Sequence, residues 1–444
     1  MASPKFLFFL FFFLIVGLIQ SFAFWSFRKF GNSNPYFPFF KNDNSRKKFW
    51  KIITIVPFVI LNIPYVYLVT NRMDFSSLPK WLYNLFIVPF FIFQAAIIFL
   101  GLLMLAIKLI KLPVFLFYYL TNKFRYFKQK YSKVKENREY KKFDESRRKF
   151  IRAGGILLTG YTFTSATIGV LKKDEFAVTN QNIYIENLPA ELAGLRILLI
   201  SDIHSGPYMN ESQMKNYTDI LNSYNADLIL IPGDLTNSER TEVYPFTKAF
   251  KDLKAKYGVY ATLGNHDYFH DADYVAKAVL NETPIKLMRN ENTILEINNK
   301  KLLLMGMEDT RVSGANYDPV IYKYFDKTVT DAKEIMKQNN LSFESIPKIL
   351  MYHKPYFFND FSKEKIDLTV SGHTHGGQIV FAKLGNFNLS IAAAVSSFVE
   401  GLYKNENSNM YVSRGIGTVG LPLRLNCRPE ITILTLKTKS PAES

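Results

Sequence analysis

With one cysteine, Cys427, in 444 residues, the chain has no intramolecular disulfide framework and no site built on several thiolates, and its redox compartment stays open. Histidine is almost as scarce, with six in the whole chain. The most apolar stretches, Phe6–Phe27, Ile52–Val69, Trp81–Ile107 and a weaker Gly-containing one at Ala153–Val170, hold neither an acidic residue nor a histidine. Such side chains mark ion paths through membranes, so a channel or transporter is not indicated. No internal repeat is visible.

What is present is unevenly distributed. The length exceeds one ordinary domain, and the four apolar stretches each approach or exceed the roughly 18 residues a helix needs to cross hydrocarbon. The net charge of +17 would point to nucleic acid if it were spread over a globular region. It is not spread: Arg28–Lys51 has seven basic residues against one acid, and Asn122–Arg152 has thirteen against four, so these two segments carry +15 of the excess. Basic segments separated by two apolar ones follow the positive-inside rule, and a membrane, not nucleic acid, is the expected partner.

With both basic segments cytoplasmic, residues 1–121 form a three-span helical region. Residues 122–152 form a basic cytoplasmic loop, 153–171 a fourth membrane segment, 172–437 a globular domain on the outer side, and 438–444 a polar tail. After Lys108 and Lys111, the nine residues Leu112–Leu120 are too few to span and read as interfacial. Ser21-Phe22-Ala23 resembles a signal-peptide cleavage site, but cleavage there would strand the first basic segment outside. Ser146-Arg147-Arg148-Lys149-Phe150-Ile151-Arg152, followed by a mildly apolar run, resembles a twin-arginine export signal, which makes the export machinery a candidate partner.

From about Asp174 the pattern changes to short apolar runs that end in Gly, Asp, Asn or His. Candidate strands are Arg196–Ser201, Leu228–Ile231, Val259–Leu263, Lys301–Met305, Lys348–Tyr352 and Asp367–Val370. Near-continuous apolar strands are buried on both faces, and Glu211–Tyr224 and Thr328–Gln338 read as helices between them, so the domain is α/β.

Five of the six histidines sit beside Asp, Asn or Gly at the ends of these strands, in Asp202-Ile203-His204, Gly264-Asn265-His266-Asp267, His353 and Gly372-His373-Thr374-His375; Gly233-Asp234 completes the set. Ligands of open α/β sheets collect beyond the carboxyl ends of strands, so these loops can converge despite their separation. Carboxylates, imidazoles and an amide without thiolate suit Mn, Fe or Zn. Residues two apart in an extended segment project to one side, so Asp202 with His204, and His373 with His375, are each expected to grip an ion together.

The order D-x-H, G-D, G-N-H-D, H, G-H-x-H, with spacings of 32, 31, 88 and 20 between Asp202, Asp234, Asn265, His353 and His373, resembles the calcineurin-like metallophosphoesterase superfamily over about residues 190–435. GHTHGGQ and RGIGTVGLPLRLNCRPEI resemble its bacterial membrane-associated branch, which includes enzymes acting on UDP-2,3-diacylglucosamine. The resemblance implies a four-layer α-β-β-α sandwich after the all-α transmembrane region, in a bacterial inner membrane. It implies one divalent metal on Asp202, His204 and His375, a second on Asn265, His353 and His373, Asp234 bridging, and His266 as the catalytic residue over the phosphoester substrate. Two ions about 3.5–4 Å apart activate water and clamp phosphoryl oxygens, so no protein nucleophile is needed. Where some related phosphatases have an Asp that orients the catalytic His, this chain has Asn237; Asp267 could serve instead, or could tie down its own turn. Arg414, Arg424 and Arg428 could hold a substrate phosphate bidentately, or pair with acids such as Glu430. His270 reads as a surface residue. A non-catalytic scaffold would show decayed ligands, and none has decayed here.

Overall fold

The computed structural model describes residues 4–32, 42–70, 78–385 and 387–439. It has two compact units, Met1–Val170 and Leu171–Ser444. Part of the first basic segment, 33–41, and the end of the polar tail, 440–444, lie outside the described residues.

The described residues of the first unit form helices joined by short turns. Among the described residues, Asn44–Tyr65, Lys80–Thr121 and Arg138–Leu171 are long and apolar enough to cross a membrane, and Pro4–Asn32 is also one helix. Two sequence expectations change here. The run Leu112–Leu120 is not a separate element, because the helix continues through Pro113 to Thr121. The basic segment 122–152 is not a loop: it forms helix Arg125–Glu136 and the first turns of Arg138–Leu171, where long basic side chains have high helix propensity. Phe93, Ile97 and Ala23 are buried together. Beside them Gln94 accepts from Gln20 Nε2 at 2.5 Å and Tyr65 OH at 3.1 Å and donates to Asn62 Oδ1 at 3.0 Å. Such a satisfied polar knot joins helices where apolar contact alone gives little specificity.

The second unit contains β1 (Ala177–Ile185), β2 (Arg196–Leu199), β3 (Leu228–Pro232), β4 (Val259–Thr262), β5 (Ile285–Leu287), β6 (Glu291–Ile297), β7 (Lys300–Gly306), β8 (Lys348–Met351), β9 (Leu368–Ser371), β10 (Ala382–Leu384), β11 (Phe387–Leu389), β12 (Gly401–Asn405), β13 (Ser408–Val412) and β14 (Glu430–Thr438). One sheet has the order β1-β14-β2-β3-β4-β5, the other β12-β13-β9-β8-β7-β6, and β10-β11 stands apart as a hairpin. Strands β2 to β5 run parallel, as do β7, β8, β9 and β13.

Side-chain alternation along each strand builds the layers. In β3, Leu228 and Leu230 enter the core shared with the second sheet, while Ile229 and Ile231 enter another with Phe246, Phe250 and Val279. Those residues belong to helices Val243–Phe250 and Ala272–Glu282. In β7, Leu302 and Leu304 face the first sheet, while Leu303 and Met305 face Ile321, Phe325 and Met336 of helix Tyr317–Gln338. The result is the four-layer α-β-β-α sandwich. The helix expected at Thr328–Gln338 begins eleven residues earlier, at Tyr317.

Leu304 is fully buried between the sheets, so Leu304→Ala should lower the unfolding free energy by about 2–5 kcal/mol. Leu280→Ala, on an exposed helix face, should change it by less than about 0.5 kcal/mol, both read by denaturant melts.

Candidate metal centre

The parallel strands of both sheets deliver their carboxyl ends to one place. Asp202 and His204 follow β2, Asp234 follows β3, and Asn265 and His266 follow β4; His353 follows β8, and His373 and His375 follow β9. Backbone bonds extend the pairing into the loops: Asp202 N–H donates to the Gly233 carbonyl at 3.2 Å, and Ile203 and His204 N–H both donate to the Asp234 carbonyl. Between the sheets, His353 Nδ1 lies 2.8 Å from the Pro232 carbonyl. That oxygen can only accept, so Nδ1 carries the proton and Nε2 is the nitrogen presented to the cluster. His373 N–H donates to Asp202 Oδ1 at 2.9 Å.

The loops turn sharply to do this. Asp202, His204, Asp234, His373 and His375 all have φ between 50° and 72°, the left-handed region that L-residues adopt at a cost of order 1–3 kcal/mol each. This corrects the extended-segment argument. Asp202 and His204 do converge, but through left-handed turns, and His373 and His375 separate into different groups. Space is equally tight: a Cβ on Gly233 would lie 2.7 Å from His353 Nδ1, and one on Gly372 would collide with Ser201 and Asp202.

Three overlapping groups result, Asp202/His204/His375, His204/Asp234/His266 and Asp234/His353/His373, each with ligand atoms within 4.8 Å of one another. His204 Nε2 and His375 Nε2 are 3.0 Å apart. Burial, reinforced by neighbouring positive charge, holds His204 down to about 3 and His373 and His375 well below the usual histidine range, so these imidazoles are neutral. Burial likewise pushes Asp202 up to about 6. For Asp234 and His353 burial acts against the outcome: the charge of His353 keeps Asp234 well below the usual carboxylate range, and Asp234 in turn raises His353 to about 10. Their separation is 3.1 Å. Among the described residues, the buried Asn265 Oδ1 and His204 Nδ1 have no hydrogen-bond partner. Two carboxylates, neutral imidazoles with inward nitrogens and an unpartnered amide oxygen fit borderline divalent cations.

Residues 195–377 match the calcineurin-like phosphoesterase family model. A metallophosphoesterase of Helicobacter pylori strain J99 is 30% identical over 308 residues, covering 68% of this chain and 75% of the relative. The chain belongs to this family of metal-dependent phosphoester hydrolases. The metallophosphoesterase YkuE of Bacillus subtilis is 26% identical over 66% of this chain and 98% of its own length. A Danio rerio transmembrane protein with a metallophosphoesterase domain is 30% identical over 59% of this chain, and the match spans 57% of that relative.

Around the phosphoesterase centre, the remaining candidates fall into two groups. His266 stands at its edge, edge-on to His204 at 4.6 Å and tilted over Phe269 at 4.4 Å between ring centroids. Its Nδ1 lies 2.5 Å from the Asn237 carbonyl, an acceptor only, so Nδ1 carries a proton. The Asn237 backbone thus orients His266 in place of an acidic side chain. That loop is held by Glu242, which sequence reading missed: its carboxylate accepts from the Asn237, Ser238 and Glu239 N–H groups at 2.6–3.0 Å. The available signal was a Glu three residues after Glu239, at a capping-box spacing. Asp267 does not orient His266. It accepts from the Leu235, Thr236 and Gly264 N–H groups and the Thr236 hydroxyl, and ties the turn.

The arginines proposed for phosphate are engaged within the protein. Arg424 is buried and donates to the Arg414, Gly415 and Gly417 carbonyls beside His375. Arg414 pairs with Glu430 at 3.1 Å and Arg428 with Glu175 at 3.3 Å. His270 pairs with Glu239 at 3.0 Å, and Cys427 is buried against the His375 carbonyl at 3.1 Å.

Because His353 without metal is raised to about 10, an ion taking its Nε2 must displace a proton at neutral pH, and Asp202 adds a second competitor below about 6. Mn affinity should therefore rise with pH between 6 and 8, by on the order of tenfold per unit for each proton displaced. Calorimetry in buffers of different ionisation enthalpy should register proton release, and a pH-independent affinity would contradict this ligand set.

Proposed function

We propose that the protein is a hydrolase of phosphoesters at a membrane surface, using two divalent ions of the Mn, Zn or Fe type. The reading rests on one observation: the ligand groups are linked through His204 and Asp234, and Asp234 also holds the backbone N–H next to Asn265, whose buried side-chain oxygen has no hydrogen-bond partner. Asp202, His204 and His375 would hold one ion, Asn265, His353 and His373 the other, with Asp234 between them. Divalent ions on these ligands supply Lewis acidity toward phosphoryl oxygens and ready a water for attack. The chain's own part is to exclude solvent and to move one proton. Burial of Asp202, Asp234 and His353 removes these side chains from solvent, which strengthens the charge interactions among them. With His266 Nδ1–H held by the Asn237 carbonyl, Nε2 is the free ring nitrogen, and in the doubly protonated ring it would give its proton to the leaving oxygen and return to the neutral imidazole.

The charge distribution supports cytoplasmic basic segments and a phosphoesterase domain on the outer face of a bacterial inner membrane, where a phospholipid or another envelope phosphoester is the fitting substrate. A UDP-2,3-diacylglucosamine-type glycolipid would instead call for a cytoplasmic site. Export by a twin-arginine route is consistent with Arg147 and Arg148 being exposed on their helix while both pair with Asp144.

Full-length protein in detergent with added Mn should hydrolyse bis(p-nitrophenyl) phosphate or p-nitrophenyl phosphate. Asp234→Asn should abolish turnover and bring metal retention below two ions per chain, and His266→Ala should lower kcat by about 10²–10⁴-fold while metal stays bound. Metal-loaded protein inactive on both esters and on lipid phosphoesters would sink the proposal.

A further inference from the structure

The segment that follows the metal-ligand loop is built the wrong way round for water. In the β10–β11 hairpin, Ala382 lies opposite Leu389 and Lys383 opposite Asn388. Opposed residues share a face and neighbours alternate, so Ala382, Leu384 and Leu389 share one face and Lys383 and Asn388 the other. The polar face turns toward the domain: Lys383 pairs with Glu400, and Asn388 Nδ2 lies 3.5 Å from the Gly376 carbonyl. The apolar face is left open, with Leu384 81% and Leu389 50% exposed. A short helix, Ile391–Val395, continues the pattern: Ile391 and Val395, four residues apart on one side, are 72% and 74% exposed. Lys383 keeps about half of its side chain in solvent while pairing with Glu400, so what this orientation leaves without stabilisation is the exposed apolar surface of Leu384 and Leu389.

We propose that the exposed face of Leu384, Leu389, Ile391 and Val395 seats in the headgroup region of a lipid bilayer and brings the adjoining His373–His375 loop to phosphoesters at that surface. The segment is fastened to that loop. A Cβ on Gly377 would lie 2.5 Å from the Ser390 hydroxyl, and Asn388 reaches Gly376 directly after His375. The lipid surface is the occupant because the chain brings its own. Helix Arg138–Leu171 is long and apolar enough to cross a membrane, and β1 begins at Ala177. Residues 172–176 join the two, so the chain that carries this apolar face also carries its own candidate membrane segment. Apolar side chains on a surface element enter such an interface by roughly 5–10 Å. Lipid-borne phosphoesters as the substrate class rest on the phosphoesterase reading above; the docking face does not.

The test uses the full-length protein in phosphatidylcholine–phosphatidylglycerol vesicles, with Val395→Cys carrying an environment-sensitive fluorophore and Leu280→Cys, on an exposed helix, as reference. Buried Cys427 is monitored by the unsubstituted protein. Emission from position 395 should shift to the blue and be quenched by doxyl-labelled lipids, with neither at position 280. Adding Leu384→Asp and Ile391→Asp should abolish the quenching at 395 while leaving turnover of soluble bis(p-nitrophenyl) phosphate unchanged. Equal quenching at 395 and 280, quenching that survives both Asp substitutions, or disulfide cross-linking of the unlabelled Val395→Cys variant between copies in its place would each overturn the docking face. Absence of turnover of both the soluble esters and lipid phosphoesters by the metal-loaded wild type would instead strike the phosphoesterase reading and leave the quenching result standing.

Discussion

Everything at the metal centre depends on the apolar layer between the two sheets. Ile197, Leu199, Leu228 and Leu230 on one side meet Leu302, Leu304, Ile349, Met351 and Val370 on the other, all fully buried. Close packing of this kind fixes how far one sheet can slide over its partner. The carboxyl ends of β3 and β8 therefore stay at the same rim, where His353 reaches the Pro232 carbonyl across the gap at 2.8 Å. With that alignment set, the left-handed turns at Asp202, His204, Asp234, His373 and His375 become tolerable, because the surrounding hydrogen bonds over-determine them. Strain and desolvated charge are gathered at one end of a core stable enough to bear both.

The electrostatics follow from the same geometry. Asp202 and Asp234 lie within a cluster of imidazoles from which water is excluded, and without cations the site balances charge by keeping a proton on His353 against Asp234. Divalent ions relieve that arrangement by replacing the proton with a stronger positive charge. His266 stands apart from this exchange. Its ring is positioned by the Asn237 carbonyl, and that carbonyl by the three N–H groups gathered on Glu242.

The buried strands of the phosphoesterase unit were legible because residues such as Leu228–Ile231 are apolar on both faces and end in Gly or Asp. Others were not: the edge strands β1 and β12 alternate or mix polarity, and the interior strand β14 lies far in sequence from β1 and β2, with which it pairs. The clustered His and Asp groups could be read from type and spacing, since each follows a strand. Their backbone could not, because Asp and His adopt positive φ more readily than most residues but residue type alone does not say which of them do so. The roles of Arg414 and Arg424 turn on backbone carbonyls and on Glu430 brought in by the fold, which residue type alone does not fix. The helicity of the basic segment follows from the propensity of its long basic side chains, which a count of charges does not weigh.

The central claim is that these residues hold two ions at once, and the most direct test is to count them. Full-length protein, stripped with chelator and dialysed against Mn at neutral pH, should retain two ions per chain by inductively coupled plasma mass spectrometry. His375→Ala should retain one, since it removes a ligand of only one ion, and Asp234→Asn, between both, should retain fewer than two. A wild-type chain that retains no ion, or whose ion count is unchanged by either substitution, would contradict the account.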